Sequence, residues 1–76
     1  MTVVTAYMPN GEIFFMKNGD KEETLLQLAE LLKDESIIKA FLHKEPKVTQ
    51  LRIVVEEMCE ACGKFHVESE YMEFIE

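Results

Sequence analysis

The chain has 76 residues, of which 47% are hydrophobic, and its formal net charge is −7 at pH 7. This length has room for one domain spanning residues 1–76, and the hydrophobic fraction argues against a disordered chain. No apolar run approaches the ~20 residues of a membrane-spanning helix. The sequence also contains no Gly-rich phosphate loop, HExxH or GxSxG motif, so we expect neither a membrane protein nor an enzyme.

The negative charge is concentrated toward the C-terminus. Residues 56–76 carry a net charge of −6, and residues 1–55 carry a net charge of −1. Because like charges repel, we expect no direct binding of nucleic-acid phosphates by this acidic tail. The natural complement of the tail is a protein partner with a basic surface.

The N-terminus and the cysteine count indicate a reducing compartment. Residues 1–5 contain neither a basic n-region nor a long apolar h-region, so we expect no secretory signal. Two cysteines in a chain without a leader favour free thiols or a bound metal over a structural disulfide. We therefore expect a cytoplasmic protein.

The first part of the chain predicts a β-hairpin. Residues 2–8 are rich in Val, Thr and Tyr, which favour strands. Asn10-Gly11 follows and is a strong hairpin signal, because both residues tolerate positive φ. Residues 12–17 resume as a second strand, whose apolar run indicates burial on both faces or an interface on one.

A helix is predicted next, followed by a break. Asp20 is the expected N-cap, with Glu23 completing a capping box. Apolar residues at helical spacing then extend the helix to about Asp34. They are Leu25, Leu28, Ala29 and Leu32. A second apolar set points almost the opposite way, so we expect a break near residues 34–36 and a second short helix that Pro46 closes. This set is Ile37, Ile38, Phe41 and Leu42.

Two strands are predicted in the C-terminal half. Residues 48–58 alternate between apolar and mostly polar side chains, and a strand from Phe65 to about Ile75 follows. One face of this last strand is expected to carry Phe65, Val67, Ser69 and Tyr71, with His66, Glu68 and Glu70 opposite. After Tyr71 the alternation falters, which fits either a bulge or a terminal turn of helix. The order β-β-α-(α)-β-β predicts a small α+β domain, an antiparallel sheet with a helical layer packed on one face.

The most informative motif is Cys59-Glu60-Ala61-Cys62-Gly63, which contains both cysteines of the chain. Its spacing lets two thiolates bind one metal ion, and Gly63 can adopt the left-handed conformation of a tight turn. Over about eight residues the motif resembles the zinc knuckles at hairpin tips of zinc ribbons and rubredoxin-like folds. The resemblance stops there, because the chain has no second CxxC.

The missing ligands leave several alternatives. His66 is a candidate third ligand for zinc, and His43 is a candidate fourth if the connection between helix and strand lies nearby. Two chains could also each give two cysteines to one zinc ion. In the remaining alternative no cofactor binds, and the two cysteines are reduced thiols that cap a hairpin.

A thiol-dependent enzyme is the least favoured interpretation. Reactive thiols are activated by a helix N-terminus or by cations, whereas strands are expected on both sides of this motif. The acidic neighbours Glu56, Glu57 and Glu60 are expected to raise the thiol pKa through like-charge repulsion.

Two surfaces are candidate sites for a protein partner. If the last two strands form one hairpin, Glu56, Glu68 and Glu70 are expected to project from a single face as a negative patch, although such patches often serve only solubility. The other surface is apolar, including Ile38 and Phe41, and indicates a homodimer or partner interface, unless the second helix folds inward. The full apolar set is Phe14, Phe15, Met16, Ile37, Ile38, Phe41 and Leu42.

These features together predict a small acidic protein-binding or regulatory domain without catalytic activity. Short acidic chains without catalytic motifs are often regulators or inhibitors, including bacterial and phage-borne ones. The alternative is a module stabilised by zinc at the Cys59–Cys62 hairpin.

Overall fold

A computed structural model describes residues 1–44 and 47–75. Its elements run in the order β1 (Thr2–Tyr7), β2 (Ile13–Gly19), α1 (Lys21–Leu31), α2 (Glu35–Ile37), a π-helical segment (Ile38–Leu42), β3 (Gln50–Met58) and β4 (Phe65–Phe74). This order confirms the predicted α+β domain. Pro46, which was predicted to close the second helix, lies outside the described residues.

The four strands form one antiparallel sheet in the order β2-β1-β3-β4. The two strands at the centre, β1 and β3, supply most of the buried side chains of the sheet. Strands β2 and β4 lie at the two edges. The two predicted hairpins are therefore joined through pairing of their first strands, β1 with β3.

The predicted turn between β1 and β2 forms, although only Gly11, and not Asn10, adopts positive φ. Gly11 has φ of +89°, a conformation that L side chains rarely adopt. The side-chain oxygen of Asn10 accepts a hydrogen bond from the backbone N–H of Glu12 at 2.9 Å. The backbone N–H of Met8 donates to the carbonyl of Glu12 at 2.8 Å, which closes the loop.

Two aspartates begin the two helices. The carboxylate of Asp20 accepts a hydrogen bond from the N–H of Glu23 at 3.1 Å and caps α1. Asp34 is extended, with φ −84° and ψ 108°, and its carboxylate accepts from the N–H of Ser36 at 3.0 Å. The predicted break near residues 34–36 is confirmed, although α1 ends at Leu31 rather than near Asp34.

The hydrophobic core lies between the helical layer and one face of the sheet, which we call the helix face. Leu28 of α1 and Leu42 of the π-helical segment pack against side chains of β1 and β3. Because the chain breaks at Asp34, the second apolar set does not need to face away from the first, and Leu42 is fully buried. The sheet residues of this core are Val4, Ala6, Leu51, Ile53 and Val55.

A bulge in β4 changes the predicted faces of that strand. Val67 pairs with Glu56 and Ser69 pairs with Val55, so Glu68 between them has no partner on β3. The prediction that Phe65, Val67, Ser69 and Tyr71 share one face is therefore wrong. Phe65 and Val67 lie on the face opposite the helices, and the extra residue moves Ser69 and Tyr71 to the helix face. After Tyr71 neither predicted alternative, a bulge or a helical turn, is found in residues 72–75, since β4 stays in register with β3 to Phe74.

The other face of the sheet, which we call the open face, is not covered by the helices of the described residues. Val54 lies at its centre, between Thr5 on β1 and Glu70 on β4. Arg52 and Glu56 flank Val54 on β3 and share this face, because side chains alternate along a strand. The exposed apolar side chains of the open face are Met16, Met58, Phe65, Val67, Met72 and Phe74.

Candidate metal centre

The CxxC motif forms the turn that joins β3 to β4. The N–H of Cys59 donates to the carbonyl of Lys64 at 2.8 Å, and the N–H of Gly63 donates to the carbonyl of Cys59 at 2.8 Å. Gly63 has φ of +70°, which a residue with a Cβ adopts only with strain. These contacts bend the chain back on itself within a few residues and place Cys59 and Cys62 at the hairpin tip.

Three predicted ligands come together at this tip. The ligand atoms of Cys59, Cys62 and His66 all lie within 4.8 Å of one another. The Sγ of Cys62 is 3.0 Å from the Nε2 of His66. An ion with tetrahedral bonds of ~2.0–2.3 Å holds its donors about 3.5 Å apart, so small side-chain shifts bring all three into position. Cys59, Cys62 and His66 therefore lie close enough to bind one metal ion.

The backbone favours the thiolate form of Cys59. Hydrogen bonding from the backbone N–H of Cys62 is the largest cause that lowers the pKa of the Cys59 thiol, followed by the Cys62 side chain and the N–H of Ala61. The expectation that acidic neighbours raise this pKa is wrong for Cys59, because hydrogen bonding within the turn stabilises its thiolate. Metals bind the thiolate, so this turn prepares Cys59 for coordination.

His43 is not a fourth ligand of this centre. Among the described residues, the group of close ligand atoms contains only Cys59, Cys62 and His66. His43 follows the π-helical segment, next to Leu42, whose carbonyl accepts a hydrogen bond from Val48 just before β3 begins. Cys59 follows the opposite end of β3, a nine-residue strand about 30 Å long.

The predicted acidic patch does not form on a single face. Because Glu68 is the extra residue of the bulge, it turns toward the helix face and forms an ion pair with Lys21 at the start of α1. Glu70 lies on the open face and forms an ion pair with Arg52 at 2.9 Å. Glu56 shares the open face with Glu70, but Glu68 does not join them.

The predicted apolar contact residues differ in exposure. Phe41 is exposed, and the Nζ of Lys44 lies 5.9 Å from the centre of its ring. Ile38 is half-buried and packs against the core. Phe41 lines an open groove of about 680 Å³ between the first hairpin and the residues around Lys47. Neither residue belongs to the β3–β4 hairpin that carries Glu56, Glu68 and Glu70.

Sequence reasoning missed the open face as a functional surface. Phe14 and Phe15, expected as surplus apolar surface, pack partly buried against the core. Met16 of the same set is exposed as expected, and it shares the open face with unpredicted apolar side chains, of which Phe74 is 74% exposed and Val67 is 59% exposed. A signal was present in the sequence, since one helical stretch between two hairpins can cover only one face of a four-stranded sheet.

None of the helices in the described residues is both long enough and apolar enough to span a membrane. No protein-family model, curated protein or solved structure matches this chain.

Proposed function

We propose that this protein is a small cytoplasmic domain without catalytic activity whose β3–β4 hairpin tip binds one zinc ion. Cys59, Cys62 and His66 are the ligands. The observation that carries the proposal is the convergence of their three ligand atoms within 4.8 Å of one another.

The chemistry of the donors favours zinc. Two thiolates and one imidazole form a soft to borderline set that suits zinc better than magnesium or calcium, which prefer oxygen ligands. These three residues would supply three of the four ligands of a tetrahedral zinc ion, and Cys62 and His66 are exposed, so a fourth donor would be able to reach the ion from solvent or from another molecule.

Zinc at the tip would stabilise the hairpin. Binding requires the turn at residues 59–66 to be folded, so the free energy of metal binding adds to the free energy of folding. A 76-residue domain buries only roughly 60–65% of the surface of its unfolded chain, so its free energy of unfolding is small. Zinc binding would therefore increase that free energy by a large fraction.

A zinc titration against a chromogenic chelator of known affinity tests the proposal. We expect one zinc per chain, and we expect Cys59→Ser, Cys62→Ser and His66→Ala each to lower the affinity by at least about tenfold. Lys64→Ala is the matched control, because Lys64 lies in the same turn and offers only its backbone carbonyl to the fold. Equal affinities of the wild type and the Cys62→Ser variant would refute the proposal.

A second candidate function is the regulation or inhibition of a partner protein with a basic surface. Among the described residues, the acidic side chains Glu60 and Glu73 have no ion-pair partner, whereas Glu68 and Glu70 do. Charges without a partner are free to attract a cationic surface.

A lysine-rich synthetic peptide is a suitable probe for this second function. We expect the peptide to bind at low salt and to be released as salt screens the charges. Glu60→Lys with Glu73→Lys should weaken binding more than Glu68→Gln, because Lys21 already neutralises Glu68. If the Glu60→Lys/Glu73→Lys variant binds the peptide as tightly as the wild type does, the proposed binding of a basic partner is wrong.

A further inference from the structure

We propose that the open face of the sheet binds a second copy of this chain, so that two sheets pack face to face around a two-fold axis above Val54. The resulting homodimer is independent of the zinc centre, which lies at the hairpin tip.

The open face carries an apolar surface that the described residues leave exposed. Met16 on β2 is 62% exposed, and Val67, Met72 and Phe74 on β4 are 59%, 44% and 74% exposed. These side chains lie on the two outer strands and frame the centre of the face. Soluble monomers rarely expose apolar side chains in such number on one face, and such faces mark interaction sites.

The centre of the face is flat and already well packed. Thr5 and Val54 pair across β1 and β3, and both are nearly buried, with exposures of 2% and 6%, although no helix covers them. Small, packed side chains at the centre with larger exposed ones at the rim suit the stacking of a second sheet ~10 Å away.

The charges of the open face are self-complementary. Arg52 and Glu56 lie on the same strand and the same face, about 13 Å apart, with Val54 midway between them. A two-fold axis that passes above Val54, perpendicular to β3 and parallel to the sheet, reverses the strand of the second copy. Arg52 of one chain then lies over Glu56 of the other, and the reciprocal pair forms on the far side of the axis.

Arg52 is able to make this additional contact. Its Nη1 donates to Glu70 at 2.9 Å, and its guanidinium lies 4.7 Å from the centre of the Tyr7 ring. These contacts hold the side chain flat across the open face while leaving it about half exposed. A guanidinium has five N–H donors, so donors remain for the carboxylate of Glu56 in the second copy.

A second copy fits this face better than a strongly basic partner does. With Arg52, Glu56 and Glu70, the face has a formal charge of −1, whereas the whole chain carries −7. Repulsion between two copies is therefore smaller here than it would be if their acidic hairpin tips met. With this axis Val67 of one copy lies over Met72 of the other, so the exposed apolar side chains of the two copies bury one another.

Sedimentation velocity over a concentration series, with chelator and with zinc, tests the proposal. We expect a monomer–dimer equilibrium under both conditions. Arg52→Glu and Glu56→Arg should each raise the dimer dissociation constant by about tenfold or more, and the double variant should recover most of the loss. Val67→Lys should remove the dimer, whereas Glu30→Arg, an exposed charge reversal on α1, should leave it unchanged.

Thermal melting of dilute samples shows whether each variant folds. A wild-type protein that stays monomeric at every concentration, or a dimer that survives Val67→Lys, would overturn the proposal. Failure of the double charge variant to recover would overturn the two-fold arrangement. A dimer that forms only with zinc would instead mean that two chains share one ion, which contradicts the open-face dimer and leaves the zinc proposal standing.

Discussion

The Sγ of Cys62 lies 3.0 Å from the Nε2 of His66, four residues further along the chain. The first residues of β4 bring His66 back to the turn, so the metal centre is assembled within residues 59–66 of one hairpin. No contact from the helical layer is needed to place these ligands. The centre therefore depends on the turn and on the pairing of β3 with β4.

Removing zinc should lower the thermal stability of the protein. We expect the melting temperature measured by circular dichroism to fall when a chelator is added. Zinc at about 100 times its dissociation constant adds about 2.7 kcal/mol to the free energy of unfolding, because it binds the folded chain. The melting temperature of the Cys62→Ser variant should not respond to zinc or chelator. If zinc changed the melting temperature of the Cys62→Ser variant as much as that of the wild type, the stabilisation would not come from zinc bound at the hairpin tip.

Gly63→Ala should weaken zinc binding through strain in the turn. Gly63 has φ of +70°, and a Cβ added there meets no atom within 4 Å, so the effect arises from backbone strain alone. We expect a loss of about 1 kcal/mol in the free energy of unfolding and a lower zinc affinity. Gly11→Ala is the matched control, since Gly11 also has positive φ and open space around it. Its stability loss should be similar while its zinc affinity stays at the wild-type value.

The thiol of Cys59 should titrate at lower pH in the folded protein than in the unfolded chain. Backbone N–H groups of the turn lower its pKa by stabilising the thiolate. The pH dependence of alkylation, measured on zinc-free Cys62→Ser protein, reports this thiol alone. We expect its midpoint to lie below that of the same variant in urea. Coinciding midpoints would mean that the turn does not direct its N–H groups at the sulfur.

The ion pair between Lys21 and Glu68 should make stability depend on pH in acid. The hydrogen bond from Lys21 is the largest cause that lowers the pKa of Glu68 from its ordinary value of 4.5. The stabilisation from this carboxylate is therefore complete above pH 4.5 and is lost as the pH falls through the lower pKa of the folded state. Glu68→Gln should lower the melting temperature at neutral pH and have a smaller effect in acid.

The control for the Glu68→Gln experiment is the same substitution made in a Lys21→Met protein. In a Lys21→Met protein the partner of the carboxylate is absent, so Glu68→Gln should have little effect at either pH. A pH-dependent effect that persists without Lys21 would assign the lowered pKa of Glu68 to another neighbour.

Leu42→Ala should be far more damaging than Phe41→Ala. Leu42 is fully buried and anchors the π-helical segment in the core, whereas the adjacent Phe41 is 57% exposed. We expect Leu42→Ala to cost about 2–5 kcal/mol in the free energy of unfolding, measured by urea denaturation. Phe41→Ala should cost about 1 kcal/mol or less. Similar costs for the two variants would mean that the segment does not pack as described.

Much of the fold followed from local signals in the sequence. Asp20 was predicted as the N-cap of α1 because a carboxylate there satisfies backbone donors that the helix leaves free. Asp34 was expected only near the break, and its role as the N-cap of α2 is a finding of the structure. Asn10-Gly11 predicted the first turn, in which Gly11 adopts positive φ and the side chain of Asn10 accepts a hydrogen bond from Glu12. Such signals are read correctly because the physical cause lies within a few residues of the chain.

The bulge at Glu68 was not predictable in the same way. Residues 65–71 alternate as a regular strand does, and no Gly or other unusual residue marks the position where one residue is left unpaired. The bulge is defined by the pairing of β4 with β3, and its extra residue pairs with Lys21, so both of its contacts are distant in sequence. One extra residue reverses every later side chain, so Ser69 and Tyr71 lie on the helix face rather than beside Val67.

The metal ligands were predictable in part. The spacing of Cys59 and Cys62 indicated a shared ion, and the structure brings His66 to them. The sequence could not place His43, because its distance from the tip depends on the direction of β3 relative to the π-helical segment. That direction is a property of the whole fold.

Native mass spectrometry of the freshly purified, untagged protein, titrated with zinc, tests the zinc centre most directly. We expect each chain to bind one zinc ion with the loss of two protons from Cys59 and Cys62, and the Cys59→Ser/Cys62→Ser variant to bind none at the same zinc concentration. A wild-type spectrum without bound zinc, or a variant that binds zinc as the wild type does, would contradict the assignment of the hairpin tip as a metal centre.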